Sequence, residues 1–114
     1  FGRLRMVEES INRFDIYLIK LNPTMGSEIQ KTRPCIIISP NEMNVLNTVI
    51  VAPMTSKGFD FIFRPKISFE GKNGLVLLDQ IRTVDKSRFV KKLGTVDIEK
   101  SREISSMLVE IFKY

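Results

Sequence analysis

The chemistry open to this chain is bounded first by what it lacks. It contains no histidine and a single cysteine, Cys35. That removes the commonest general acid–base, every histidine-based triad and any Cys-rich or histidine-bearing zinc site. Cys35 stands inside the apolar run Cys35-Ile36-Ile37-Ile38 without an imidazole to activate it, and reads as core packing rather than as a nucleophile. The glycines at 26, 58, 71, 74 and 94 are scattered and form no phosphate-cradling motif. What remains is Arg, Lys, Asp, Glu, Ser, Thr, Tyr, Gln and the backbone. Such a set suits a reaction in which charge builds on a phosphate and preorganised donors stabilise it.

Within that set, Arg33 precedes Pro34 at the mouth of the apolar run and offers a planar fork that matches two phosphate oxygens. Thr55, with Ser56 beside it, can donate a hydroxyl proton to a phosphate oxygen, or can simply end a strand. Glu28 lies in a polar loop, where it is either solvated or able to orient Arg33 or accept a proton. Gln80 and Arg82 are two apart and share a face of an extended chain; Arg82 can equally pair with Asp79 or Asp85. Phe59, Phe61 and Phe63 alternate; they could stack bases, with core packing expected for at least two of them.

Length and charge frame these groups. The 114 residues suit one domain with a modest core, and the net charge is +5. Residues 1–12 are read as an N-terminal extension, with Met6 as a candidate start; setting aside Arg3 and Arg5 leaves +3 (16 − 13). That surplus argues only weakly for a polyanionic partner. Its distribution is more informative: Arg82, Lys86, Arg88, Lys91 and Lys92 face one acid, Asp85, giving a local +4 that fits a phosphate-tracking patch or a solvated turn. No apolar run approaches the length of a membrane span and no cleavable leader is evident, so a cytoplasmic protein without membrane contact is expected.

The elements that must position these residues are short. Asp15 to Leu21 alternates like a strand, and Asn22 to Lys31 reads as a polar loop rich in turn formers. Pro34–Ser39 is β-branched enough to be a strand buried on both faces, and Thr48–Met54 is a second such run, ended near Pro53. Phe61 to Phe69 is weaker, with Pro65 confining any strand to an edge. Gly74 to Ile81 reads as a strand introduced by an Asn73-Gly74 hairpin turn. Ile104, Met107, Leu108 and Ile111 set one apolar stripe on a helix from about 97 to 112, with Asp97 as N-cap. The expected fold is mainly β with a C-terminal α-helix: five or six strands in a small bent barrel with the helix packed on it.

Taken in order, the motifs resemble the MazF/PemK toxins. Asp15-Ile16-Tyr17-Leu18 followed by Leu21-Asn22-Pro23-Thr24-Met25-Gly26-Ser27-Glu28 is similar to that family's first strand and following loop. Thr32-Arg33-Pro34-Cys35-Ile36-Ile37-Ile38-Ser39 resembles its second strand, Val51-Ala52-Pro53-Met54-Thr55-Ser56 the end of its third, and Leu77-Leu78-Asp79-Gln80-Ile81-Arg82 its Gln-x-Arg segment. Each piece is weak alone; the four run in register over about residues 13–112, within a single domain drawn at 13–114.

The resemblance implies an SH3-like β-barrel of the CcdB/MazF type, a homodimer, and metal-independent cleavage of single-stranded mRNA without a cofactor. It carries the catalytic roles onto Arg33 and Thr55, with Glu28 and Ser56 in support. Ser27, Lys31, Gln80, Arg82, Lys86 and Arg88 are then the expected RNA contacts. The simplest chemistry without a metal or an imidazole is attack by the substrate's own 2′-hydroxyl, with Arg33 stabilising charge before it donates protons, since a guanidinium is seldom a free base near neutral pH. A cognate acidic antitoxin is expected in the same groove, with DNA touched only through the antitoxin complex. Some relatives carry a histidine near the place of Ser27, so a mechanism needing an imidazole there is closed to this chain. The competing readings are a gyrase poison like CcdB, a non-cleaving RNA-binding barrel, and an inactive relative that only binds antitoxin.

Overall fold

In the computed structural model, residues 10–114 are described. Residues 1–9 of the expected extension, with Arg3 and Arg5, lie outside the described residues. Seven antiparallel strands and one helix follow in order: β1 (Asp15–Lys20), β2 (Thr32–Ile37), β3 (Thr48–Thr55), β4 (Lys66–Phe69), β5 (Lys72–Val76), β6 (Arg82–Asp85), β7 (Phe89–Thr95) and α1 (Ile98–Phe112). The sheet runs β4-β5-β3-β2-β1-β7, with β6 also paired to β3. It curls into a half-barrel.

The centre of this sheet is apolar on both faces, as the β-branched runs require. From β2, Ile36 joins one cluster with Ile16, Ala52, Met54, Val76 and Ile104; Cys35 and Ile37 join the other with Ile19, Val49, Val51 and Val84. The first cluster is closed by α1, whose Met107, Leu108 and Ile111 pack beside buried Ile104, the stripe expected from the 3.6-residue period. Asp97 caps that helix by accepting from the Lys100 N–H at 2.8 Å.

Three expectations are corrected here. Pro53 does not end a strand; it sits inside β3, opposite Cys35. A proline is tolerated there because β3 changes partners at this point: Thr48–Val51 pair with β6, whereas Met54 and Thr55 pair with β5. The Pro53 carbonyl, which needs no N–H of its own, accepts from the Leu77 N–H at 2.8 Å. Second, Asn73-Gly74 is not the turn. Both lie within β5, and the β4–β5 hairpin turns at Glu70-Gly71, whose φ values of 52° and 75° are the two positive angles a tight twisted hairpin demands. Third, Leu78–Gln80 is a short 3-10 turn rather than the end of a strand, and the basic segment after it forms β6, a 3-10 turn at Lys86–Arg88 and β7.

Gly74 is required for a different reason than turning. A Cβ there would stand 2.6 Å from the Thr55 carbonyl oxygen, so β5 can lie against the end of β3 only with no side chain at this position. Gly74→Ala is therefore expected to destabilise the fold by about 1–3 kcal/mol through overpacking and to displace Thr55. Gly71→Ala meets no neighbour but holds φ of 75°, and is expected to cost about 1–2 kcal/mol of stability while leaving Thr55 in place. Denaturant midpoints together with Thr55 amide chemical shifts distinguish the two.

Candidate active site

Arg33 and Thr55 come from adjacent antiparallel strands. The β2–β3 pairing runs Cys35↔Pro53, Ile36↔Ala52, Ile37↔Val51. The ladder ends at Cys35↔Pro53; just beyond it Arg33 pairs with Ile19 of β1 and Thr55 with Leu75 of β5, so the two stand at neighbouring strand ends. Both line a cleft of about 200 Å³ with Ser56, Glu70, Lys72 and Asn73. The Arg33 Nε donates to the Gln30 carbonyl at 3.0 Å, which fixes the guanidinium; among the described residues its two terminal nitrogens have no protein partner. The Thr55 hydroxyl accepts from the Lys57 N–H at 3.1 Å, leaving its own proton for a ligand oxygen. Two kinds of donor thus converge on one small cleft, a geometry for a phosphate.

The remaining expected site residues gather elsewhere. Ser27, Glu28, Gln80 and Arg82 line a second cleft with Asp79, of about 580 Å³. Glu28 does not orient Arg33; its Oε1 accepts from the Met25 N–H at 3.0 Å and shapes its own loop. The carboxylate that shares the cleft with Arg33 is Glu70. Gln80 accepts from the Ile29 N–H at 2.7 Å, and Arg82 donates to the Leu21 carbonyl at 3.1 Å. Arg88 donates to the Lys20 carbonyl at 3.3 Å and to that of Asn22, while the Lys86 ammonium reaches the Asn44 carbonyl at 2.6 Å. Lys31, exposed at the loop's end with φ of 75°, donates its N–H to the Asn22 side chain at 3.1 Å. Arg82 and Arg88 therefore brace the β1–β2 loop, whereas Lys86 holds the segment between β2 and β3 and Lys92 pairs with Asp15.

Comparison with known proteins places this arrangement. Residues 12–112 match the family described as the PemK-like, MazF-like toxin of type II toxin–antitoxin systems. The chain belongs to that family. It is similar to an Endoribonuclease MazF of Staphylococcus saprophyticus, 33% identical over 105 residues that cover 86% of this chain and 88% of the relative. Among solved structures it is similar to MazF of Deinococcus radiodurans, with a TM-score of 0.82 at 23% identity, covering 94% of this chain and all of that one. It is also similar to a mycobacterial endoribonuclease in complex with its cognate antitoxin, at 0.73 and 20% identity, covering 88% and 92%. At these identities the two superpositions establish the fold, a mostly β toxin architecture with a C-terminal helix. Among the described residues, no helix is long and apolar enough to cross a membrane.

In this toxin domain the sequence reading missed Arg64. Its guanidinium grips Asp79 with two parallel bonds, Nε to Oδ1 at 2.9 Å and Nη2 to Oδ2 at 2.8 Å. Asp79 is thereby taken by Arg64 and not by Arg82. No local pattern signals a pair fifteen residues apart across a loop. The Arg64 hydrogen bond holds the Asp79 carboxyl below its ordinary value, against the opposing pull of burial. Cys35, by contrast, is confirmed as packing: it is fully buried, and burial pushes its thiol up to about 12 although Arg82 and Arg33 pull the other way.

The depressed Asp79 pKa fixes a sign. The charged carboxylate stabilises the fold at any pH above its ordinary range, and that contribution is lost as pH falls through the lower folded-state value. Asp79→Asn is expected to lower stability by about 1–2 kcal/mol near neutral pH, between an exposed and a fully buried pair because Asp79 is 30% exposed. In denaturant titrations the gap between wild type and variant should narrow toward about pH 3.

Proposed function

We propose that this toxin is an endoribonuclease that cleaves single-stranded RNA without a metal or cofactor, by attack of the substrate's own 2′-hydroxyl on the adjacent phosphorus. The observation that carries the reading is the pairing of Arg33 and Thr55 in one cleft with donors to spare. As the O2′–P bond forms and the P–O5′ bond breaks, negative charge collects on the non-bridging oxygens, where the Arg33 fork and the Thr55 hydroxyl meet it. A guanidinium is a poor base near neutral pH. Glu70 is the carboxylate of the same cleft, and we assign it the proton leaving O2′; the O5′ leaving group takes its proton from Arg33 or solvent. The products are a 2′,3′-cyclic phosphate and a 5′-hydroxyl. Ser56 supports the phosphate from the strand end.

Metal independence rests on what the cleft does offer: the Arg33 fork and the Thr55 hydroxyl can meet the developing charge without a metal. Ser27, Lys31, Gln80 and Arg82 are assigned to the RNA-facing wall of the β1–β2 loop. Lys86 and Arg88 act on RNA through the loop and strand carbonyls they hold. The functional unit is a homodimer with the substrate groove across it, and an acidic antitoxin silences it by occupying that groove, as the family membership and the antitoxin-bound mycobacterial relative suggest. The fold shared with gyrase poisons does not favour that alternative, because no observation on α1 calls for it.

Purified protein in excess EDTA is expected to cut long single-stranded RNA and leave 5′-hydroxyl ends, detected by kinase-dependent labelling. Arg33→Ala and Thr55→Ala should each lower the cleavage rate by about 10²–10³-fold, the range for loss of one transition-state donor, with unchanged circular dichroism. Glu70→Gln should slow cleavage, whereas Glu28→Gln, in the other cleft, should not. Intact RNA across varied sequences from a folded protein would overturn the reading.

A further inference from the structure

Between the two clefts lies a surface that none of the assigned residues uses. Phe59 and Phe61 are 68% and 49% exposed, although core packing was expected for at least two of the three alternating phenylalanines; only Phe63 packs against the core. The three rings stand edge to face, Phe59 to Phe61 at 6.5 Å and 72°, Phe61 to Phe63 at 6.4 Å and 75°. Arg64 lies over them, its guanidinium carbon 4.8 Å from the Phe59 centroid and 5.9 Å from that of Phe61. Burying these rings in the core would have been worth on the order of 2 kcal/mol each. The segment instead leaves two of them in water, held in a fixed arrangement by the Arg64–Asp79 fork.

The ladder is continuous with both clefts. Gly58, the residue before it, is wedged between the site and the arginine: a Cβ there would meet Thr55 Cγ2 at 3.8 Å and Arg64 Nη1 at 3.7 Å. At the other end, Asp79 lines the loop-side cleft with Ser27, Gln80 and Arg82. Arg64 is already neutralised by Asp79, so the ladder presents flat, polarisable faces rather than an anion site. Lys66 pairs with the exposed Asp60 at 3.8 Å, and both line a neighbouring cleft with Lys57. Exposed aromatic faces are what successive bases of a single strand stack on.

We propose that Phe59 and Phe61, fixed by the Arg64–Asp79 pair, form a base-stacking subsite that holds a nucleotide flanking the phosphate at Arg33 and Thr55. The subsite rests on the RNA reading above and adds to it a place where bases outside the scissile step are gripped. Purines, with the larger π-face, stack there better than pyrimidines.

The test is binding of uncleavable 2′-O-methyl oligo-adenylate and oligo-uridylate of equal length, followed by fluorescence anisotropy across a salt series. The double variant Phe59→Ala/Phe61→Ala is expected to weaken oligo-adenylate binding by about five- to a hundred-fold and to erase the preference over oligo-uridylate. The slope of log affinity against log salt should not change, because no phosphate contact is lost. Phe59→Trp should bind as tightly as wild type, whereas Phe59→Leu/Phe61→Leu, which keeps apolar bulk without a π-face, should not. Unchanged affinity in the alanine variant, or full affinity in the leucine variant, overturns the proposal and leaves the ladder to a protein partner. Cleavage is scored separately on the wild type. A protein that cuts RNA but binds oligo-adenylate without these rings fails here alone; one that binds through them and cuts nothing fails the cleavage reading alone.

Discussion

Everything in the site depends on the antiparallel register of β2 against β3. Cys35 opposite Pro53 and Ile37 opposite Val51 lock two strands that are apolar on both faces, and a slip of one residue would turn both sets of side chains to the wrong layers. That penalty fixes the strand ends at which Arg33 and Thr55 line one cleft, where the apolar constraint has run out and polar side chains begin. The proposed catalytic pair, Arg33 and Thr55, contributes little to the register and inherits it from the core. Gly74 completes the arrangement by letting β5 approach the Thr55 carbonyl more closely than any other residue would allow.

The second constraint is the β1–β2 loop. A segment from Leu21 to Lys31 has few apolar contacts to hold it, so its backbone carbonyls and amides are satisfied by side chains arriving from the far end of the chain: Gln80, Arg82 and Arg88. This changes the meaning of the basic stretch. Arg82 and Arg88 are less a free electrostatic patch than struts of that loop, and their removal would loosen it before it removed any charge from a ligand.

Much of this was legible in the sequence because the signals were local. The double-faced run at Cys35-Ile36-Ile37 and the helical stripe through Ile104 and Ile111 follow from burial and periodicity alone. The family resemblance, carried by four motifs in order, agrees with the match over residues 12–112. What stayed hidden was non-local. Pro53 looks like a strand terminus until β3 is seen to change partners beside it, and Asn73-Gly74 has turn chemistry that the close approach to Thr55 uses instead. The Arg64–Asp79 pair, the exposure of Phe59 and Phe61, and the separation of Glu28 from Arg33 depend on how loops fold back on the barrel. Composition cannot report that.

If Arg33 and Thr55 act as one unit on one phosphate, as proposed, their losses must be coupled. A double-mutant cycle on RNA cleavage compares Arg33→Ala, Thr55→Ala and the double variant under single-turnover conditions. Residues that act as a unit are strongly non-additive, so the double variant should be scarcely slower than the worse single one. If the two losses instead multiply, Arg33 and Thr55 work independently and the register does not assemble the site.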